Sequence, residues 1–206
     1  MSLEREEIIE YVKTMRLKEH GVLLYTDIRD KQEVLFTYLE AGLEKGEAAA
    51  YIACQENPEQ IRQAMQKFGI NVKGYEGKGA LRVIDFEDWY ITEGKFNYLK
   101  TLERWRKVAQ ESESRGFRGF RVAGESACFF EKNLVNELLD YERALHRVLD
   151  IPMTAICAYD SKMLTTKEEW FNVLIEVLNM HSTAIMIGPR GEGATSPSQI
   201  LVKIAL

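Results

Sequence analysis

Short apolar segments alternate with longer amphipathic ones along the chain, and this alternation limits the fold more than any other feature. Seven segments are typical of buried strands: residues 21–25, 48–54, 80–86, 119–124, 153–159, 183–188 and 199–206. The amphipathic segments that predict helices are 3–16, 31–45, 58–68, 96–115, 131–148 and 166–179. Strands that alternate with helices of this length indicate βαβ crossovers. We therefore predict an α/β fold with a mainly parallel sheet that is covered on both faces.

The organisation of the chain predicts one domain. No repeat, low-complexity run or Pro/Ser linker divides residues 1–206. We expect an N-terminal amphipathic helix (3–16), a core (17–188) and a C-terminal antiparallel hairpin (183–206), because no helix separates the last two strands. Asp30 and Glu33 have the spacing of a capping pair for the helix that starts at residue 31.

Composition excludes several classes of function. A net charge of −5 makes nucleic acid an unfavourable partner, because an acidic domain is repelled by phosphate backbones. No apolar run approaches the roughly 20 residues of a membrane span, and the acidic N-terminus lacks the layout of a signal peptide. We expect a cytoplasmic protein without a membrane partner.

The three cysteines do not predict a metal site. Cys54, Cys128 and Cys157 show neither CxxC spacing nor a neighbouring histidine cluster in the sequence. Buried thiols behave as small apolar groups, so a structural role is the default expectation. A redox pair requires that two of the three meet at strand ends, which the sequence leaves open.

Polar groups follow five of the predicted strands. Because the carboxyl ends of parallel strands share one edge of the sheet, where ligands of such folds usually bind, these groups are candidates for one site. Individually, about half of them could equally cap the next helix. Aromatic residues near the same edge would suit a small organic ligand, although they could also be ordinary packing.

Residues 46–86 read GEAAAYIACQENPEQIRQAMQKFGINVKGYEGKGALRVIDF. This segment resembles the second strand, the helix that follows it and the third strand of KaiC-like ATPases of the RecA fold. The resemblance places the two carboxylates that activate water in that family at Gln55 and Glu56, so one has become an amide. The phosphate loop GxxxxGK[ST] is missing: the connection at residues 26–31 reads TDIRDK, without glycine. Gln55 and Glu56 are therefore interpreted as vestigial positions.

A longer stretch, roughly 17–185, resembles the DcmR-type sensory (MEDS) family, through LKEHGVLLYTD, AGLEKGEAAAYI, DFEDWYITEGKF, GFRGFRVAGE, LLDYE and TAICAYD in this order. That resemblance implies a RecA/KaiC-like three-layer sandwich without a phosphate loop that perceives a small ligand. The ligand-binding positions that it implies are His20, Tyr25, Trp89, Tyr90, Arg121, Glu125, Tyr141, Glu142, Tyr159 and Asp160.

Ordinary structural roles are an alternative to each of these ligand-binding assignments. A lone histidine before a strand, such as His20, is more often structural than functional. Arg121 lies within a strand pattern and, if buried, needs a carboxylate, for which Glu125 or Glu142 is expected. Glu142 could equally be a surface charge on its helix.

We predict a non-catalytic sensory or signal-transduction module that binds a small organic ligand at the strand ends, with no cofactor and no metal. The alternative is a pseudo-ATPase partner that docks on an active KaiC/RecA-like ATPase. Over its 206 residues, we expect the chain to contain neither a fused kinase nor a DNA-binding domain. Its output is therefore expected to pass through a protein partner or a homo-oligomer.

Overall fold

Within the described residues, the strands and helices predicted from the apolar pattern are present, with ends that differ by a few residues. The computed structural model describes residues 5–146, 149–188 and 193–195. The strands are β1 (His20–Tyr25), β2 (Ala48–Ala53), β3 (Leu81–Asp85), β4 (Ile91–Thr92), β5 (Lys95–Phe96), β6 (Phe120–Glu125), β7 (Thr154–Asp160), β8 (Thr183–Ile187) and β9 (Gly193–Thr195). The helices are α1 (Arg5–Thr14), α2 (Ile28–Glu44), α3 (Pro58–Phe68), α4 (Val72–Gly77), α5 (Phe86–Tyr90), α6 (Tyr98–Ser114), α7 (Ala127–Glu131), α8 (Val135–Leu145), α9 (Ser161–Leu164) and α10 (Glu168–Met180).

The central sheet has the order β3-β2-β6-β7-β1-β8-β9 within the described residues. Its first six strands are parallel, and β9 pairs antiparallel with β8. This arrangement confirms the predicted mainly parallel sheet with a C-terminal antiparallel pair. The strand that pairs with β8 is 193–195, while the predicted strand at 199–206 lies outside the described residues. A separate two-stranded hairpin is formed by β4 and β5.

Each face of the sheet buries its own apolar core, because successive strand side chains point to opposite faces. On one face, helices α1 to α4 pack on residues such as Leu23, Tyr51 and Ile156. On the other, α5 to α8 and α10 pack on residues such as Val22 and Ala155. Over the described ranges, none of the helices combines the length and the apolar character that a membrane crossing requires.

The first turn of α2 differs from its prediction. The helix begins at Ile28 rather than residue 31, and Asp27 is its N-cap, accepting a hydrogen bond from the Arg29 backbone N–H at 2.8 Å. The predicted capping pair is therefore wrong. Asp30 lies inside the first turn, and its carboxylate accepts a hydrogen bond from Arg5 of α1 at 2.8 Å, while Glu33 binds the same guanidinium.

Arg121 is buried as expected, but its predicted carboxylate partner is wrong. Its guanidinium binds Glu47 and donates to the carbonyls of Val12 (3.1 Å) and Tyr38 (3.0 Å). Glu125 lies on the same strand face but four residues further on, about 13 Å away along an extended chain. Glu142 lies in the core of the opposite face. Arg121 therefore attaches α1 and α2 to the amino end of the sheet, far from the strand ends.

Candidate functional site

The carboxyl edge of the sheet brings together Tyr25, Gln55, Glu56 and Glu125, four of the predicted residues. The Tyr25 hydroxyl donates to Gln55 Oε1 at 2.5 Å. Glu56 accepts two hydrogen bonds from the side-chain amide of Gln32, at 3.0 and 2.9 Å. Glu125 is the last residue of β6 and is fully buried, so its carboxylate needs partners inside the protein.

Those partners are provided by a buried network around Glu125. The ammonium group of Lys31, from the second turn of α2, donates to Glu125 Oε1 at 2.6 Å, and the Tyr51 hydroxyl donates to the same oxygen. The backbone N–H groups of Cys54 and Gln55 donate to Oε2 at 3.0 and 2.7 Å. The sequence did not point to Lys31 or Tyr51, because a lysine on a helix normally predicts a solvated surface group and a tyrosine within an apolar strand predicts core packing.

This network affects how the carboxyl edge of the sheet could bind an anion. Lys31 has no exposed side-chain surface; its charge is balanced by Glu125, with the Glu56 carboxylate 3.6 Å away. The N-terminus of α2, which could otherwise bind phosphate through its N–H groups, is capped by the half-exposed carboxylate of Asp27. The Asp27 carboxylate, paired with the exposed guanidinium of Arg29 at 3.4 Å, thus occupies the helix end at which a phosphate would bind.

A second polar cluster lies on the opposite face of the sheet. Glu142 of α8 accepts a hydrogen bond from the Tyr159 hydroxyl at 2.5 Å and lies 3.6 Å from the Nε2 atoms of both His20 and His181. Burial raises the pKa of Glu142 to about 7, although the hydrogen bond from Tyr159 works in the other direction. Burial lowers the pKa of His20 to about 4 and that of His181 well below its ordinary value.

Cys157 completes this cluster. Its thiol lies 3.4 Å from His20 Nε2, and burial raises its pKa well above the ordinary value. The four groups that can bind metal, from His20, Glu142, Cys157 and His181, all lie within 4.8 Å of one another. His20 and Glu142 were each predicted as ligand-binding residues, but their contact was not predicted from the sequence.

The remaining predicted aromatic residues are packed in the core. Trp89, Tyr90 and Tyr141 are each less than a tenth exposed. Trp89 lies against Trp105 with ring centroids 4.2 Å apart, and Tyr90 lies edge-on to Tyr141 at 5.8 Å. The Tyr141 hydroxyl accepts a hydrogen bond from Trp105 Nε1 at 2.8 Å. These rings stabilise the core between α5, α6 and α8.

Asp160, the last residue of β7, acts as a helix cap. Its side chain accepts a hydrogen bond from the backbone N–H of Lys162 at 2.8 Å and so begins α9. This is the local role that polar residues after strands were expected to have in about half of cases.

An open cleft lies next to these strand ends, between α7, the start of α8 and the start of α10. Its volume is about 370 Å³, and its lining residues are Phe130, Asn133, Val135, Asn136, Lys167, Trp170 and Val173. The Phe130 ring contacts Trp170 at 5.2 Å and Tyr159 at 6.3 Å, measured between ring centroids. The Tyr159 ring thus lies between Phe130, in the wall of the cleft, and the Glu142 carboxylate. None of its lining residues had been predicted.

Two of the cysteines do meet at strand ends. Cys54 follows β2, Cys128 follows β6, and the two form a disulfide with Cα atoms 5.8 Å apart. The bond joins the segments that follow two neighbouring strands, whereas Cys157 is a free thiol. The pairing that the sequence left open is therefore present.

This architecture, with six parallel strands, helices on both faces and polar groups at the strand ends, defines a RecA/KaiC-like α/β domain. A solved KaiC-like protein of Pyrococcus horikoshii superposes on it with a TM-score of 0.56 and 15% sequence identity, over 84% of this chain and 72% of that one. Residues 19–182 match the family described as MEthanogen/methylotroph, DcmR Sensory domain. The chain belongs to this sensory-domain family, MEDS.

Curated relatives match a shorter segment. A UPF0273 protein of Pyrococcus horikoshii is 37% identical over 71 residues, which are 34% of this chain and 29% of the relative. A UPF0273 protein of Methanopyrus kandleri is 32% identical over 71 residues, 34% of this chain and 28% of the relative. The match thus spans less than a third of these relatives.

Proposed function

We propose that this domain is a non-catalytic sensory module that binds a small organic ligand, not a nucleotide, at the carboxyl edge of its sheet. The observation that carries the proposal is the buried pair of Lys31 and Glu125. The Lys31 ammonium group, which could otherwise bind a phosphate, is paired with the buried Glu125 carboxylate. At the edge of the sheet next to β1, Lys31 is therefore not available to a phosphate. An open volume lies in the cleft beside α7 and α10.

The cleft has the composition of a site for a small organic molecule. Its volume lies within the roughly 300–1,000 Å³ that is typical of ligand sites. Phe130 and Trp170 provide aromatic walls, while Asn133 and Asn136 provide amide donors and acceptors. The Lys167 ammonium lies 4.4 Å from the centroid of the Trp170 ring, so the cleft also has a cationic rim. This combination suits a compact, partly polar compound.

Thermal unfolding in the presence of candidate ligands tests the proposal. The panel contains short aliphatic alcohols, amines and carboxylates, with Mg·ATP as the comparison. A ligand at one hundred times its dissociation constant should add about 2.7 kcal/mol to the free energy of unfolding. Mg·ATP should leave the melting temperature unchanged.

Matched variants locate the site. Trp170→Ala removes an aromatic wall and should abolish the shift. Phe171→Ala removes a neighbouring, 44% exposed ring that is not among the residues lining the cleft, and it should retain the shift. A melting-temperature shift with Mg·ATP and none with any organic compound would refute the proposal.

A further inference from the structure

The cluster opposite the Lys31 network combines four side chains from four separate elements. His20 is the first residue of β1, Cys157 lies in the neighbouring strand β7, Glu142 lies in α8, and His181 directly follows α10. The expectation that the chain has no metal site rested on the absence of a sequence motif. A site assembled from positions this far apart produces no such motif.

The distances within the cluster fit one tetrahedral metal ion. His20 Nε2 lies 3.4 Å from Cys157 Sγ and 3.6 Å from Glu142 Oε2. His181 Nε2 lies 3.6 Å from Glu142 Oε2, and Cys157 Sγ lies 4.0 Å from the same oxygen. Zinc bound at its usual lengths to nitrogen, oxygen and sulfur separates adjacent ligand atoms by about 3.3–3.6 Å. Small movements of the side chains would therefore close the site around the ion.

Both imidazoles are oriented as they are in metal sites. His20 Nδ1 lies 2.9 Å from the His146 carbonyl oxygen, and His181 Nδ1 lies 2.7 Å from the Val177 carbonyl oxygen. Because a carbonyl can only accept, each Nδ1 carries the proton and each Nε2 turns a lone pair toward the cluster. A hydrogen bond from the other ring nitrogen to a carbonyl is the usual outer-shell support of a ligating histidine.

His181 Nε2 gives an independent indication of a ligand. Its ring is fully buried, and the atom has no hydrogen-bond partner among the described residues. A buried polar atom without a partner is unfavourable, and a bound ion would give this one a partner. On the other side of the cluster, Tyr159 donates to Glu142 Oε1 and leaves Oε2 facing the histidines.

We propose that His20, Glu142, Cys157 and His181 bind one divalent transition-metal ion of the zinc class. Thiolate and imidazole ligands favour such ions over magnesium and calcium, which prefer oxygen. Binding releases the Cys157 thiol proton and any proton on Glu142. The thiolate, the carboxylate and two neutral imidazoles then balance the charge of the ion, as a buried site requires.

The proposed site has four protein ligands, which is the pattern of structural zinc sites rather than catalytic ones with an open position. The ion would link β1 and β7 to α8 and α10. It would also fix Tyr159, whose ring contacts Phe130 in the wall of the cleft. The inference does not depend on ligand binding in that cleft.

Cobalt(II) substitution and zinc analysis test this proposal on the full chain. After treatment with a chelator and reconstitution, we expect one equivalent of zinc. We expect cobalt to give the strong visible bands of a tetrahedral ion and a thiolate-to-cobalt charge-transfer band. Cys157→Ser should remove the charge-transfer band, and His181→Ala should weaken binding by at least about tenfold, since even outer-shell changes cost 10–100-fold.

The chain contains its own controls. It has three histidines and three cysteines. His146→Gln changes the histidine whose side chain lies outside the cluster and should retain the cobalt spectrum. Cys54→Ser/Cys128→Ser removes the disulfide and should retain the charge-transfer band. Far-UV circular dichroism checks that each variant folds.

Three results would overturn the proposal. One is a reconstituted wild type without cobalt bands, which would show that the cluster is only a hydrogen-bonded network. Another is a charge-transfer band that persists in Cys157→Ser. A third is a loss of binding in His146→Gln as large as in His181→Ala. If His181→Ala does not fold, the wild-type spectrum and Cys157→Ser still decide, because the band reports the thiolate directly.

Discussion

Lys31→Met tests whether the buried ion pair holds the strand ends together. The substitution keeps an apolar side chain close to the lysine stem in length and removes the ammonium group, which leaves the Glu125 carboxylate buried with Tyr51 and two backbone N–H groups as its remaining donors. Removing one partner of a buried pair costs about 3–5 kcal/mol. Because three donors stay in place, we expect the lower end, about 3 kcal/mol, or a melting temperature lower by about 6–12 °C for a domain of this size.

Guanidinium unfolding followed by circular dichroism measures this loss in a double-mutant cycle. Adding Glu125→Gln to Lys31→Met removes the unpaired charge, so the double variant should be more stable than the sum of the single losses predicts, by about 0.5–3 kcal/mol. Arg82→Met is the control, because its pair with Glu111 is partly exposed and should be worth less than about 1 kcal/mol. Additive losses, or an effect of Lys31→Met no larger than the control, would refute the reasoning.

Three further substitutions probe the framework by the same unfolding assay. Gly42→Ala should destabilise the protein by about 1–3 kcal/mol although alanine favours helices, because the new Cβ would lie 2.5 Å from Arg121 Cδ; a stabilised variant would contradict this. Cys54→Ser/Cys128→Ser should cost about 4–5 kcal/mol, since the disulfide closes a loop with a sequence separation of 74, and equal stability would show that the bond is dispensable. Tyr38→Phe removes a buried hydrogen bond of 2.7 Å to a strand carbonyl and should cost about 1 kcal/mol; no measurable loss would argue against that bond.

The fold could be predicted because it depends on local patterns that the sequence repeats. Continuous apolar runs such as 48–54 report strands buried on both sides, and Pro58 with Gly69 marks both ends of α3. The predictions of local structure were wrong where a short-range sequence signal was outweighed by a contact with a residue that is distant in the chain. Asp30 has the spacing of a cap, but Ile28 is already helical and the carboxylate is bound by α1.

The site was harder to predict because its partners are far apart in the chain. Glu125 was identified as a strand-end carboxylate, yet its cation, Lys31, lies 94 residues earlier. No sequence pattern pointed to His181, since its place in the cluster depends on its contact with His20 of β1. Residue type and strand position locate an edge of the sheet, but the pairs that form there depend on strand order.

The disulfide has a consequence for fragmentation. It joins the turn after β2 to α7, the helix that follows β6, and these two strands are neighbours in the sheet. A protease that cuts the chain once between residues 55 and 127 would therefore leave two pieces that migrate together on a denaturing gel until a reductant is added. Their separation would then report the state of that bond directly.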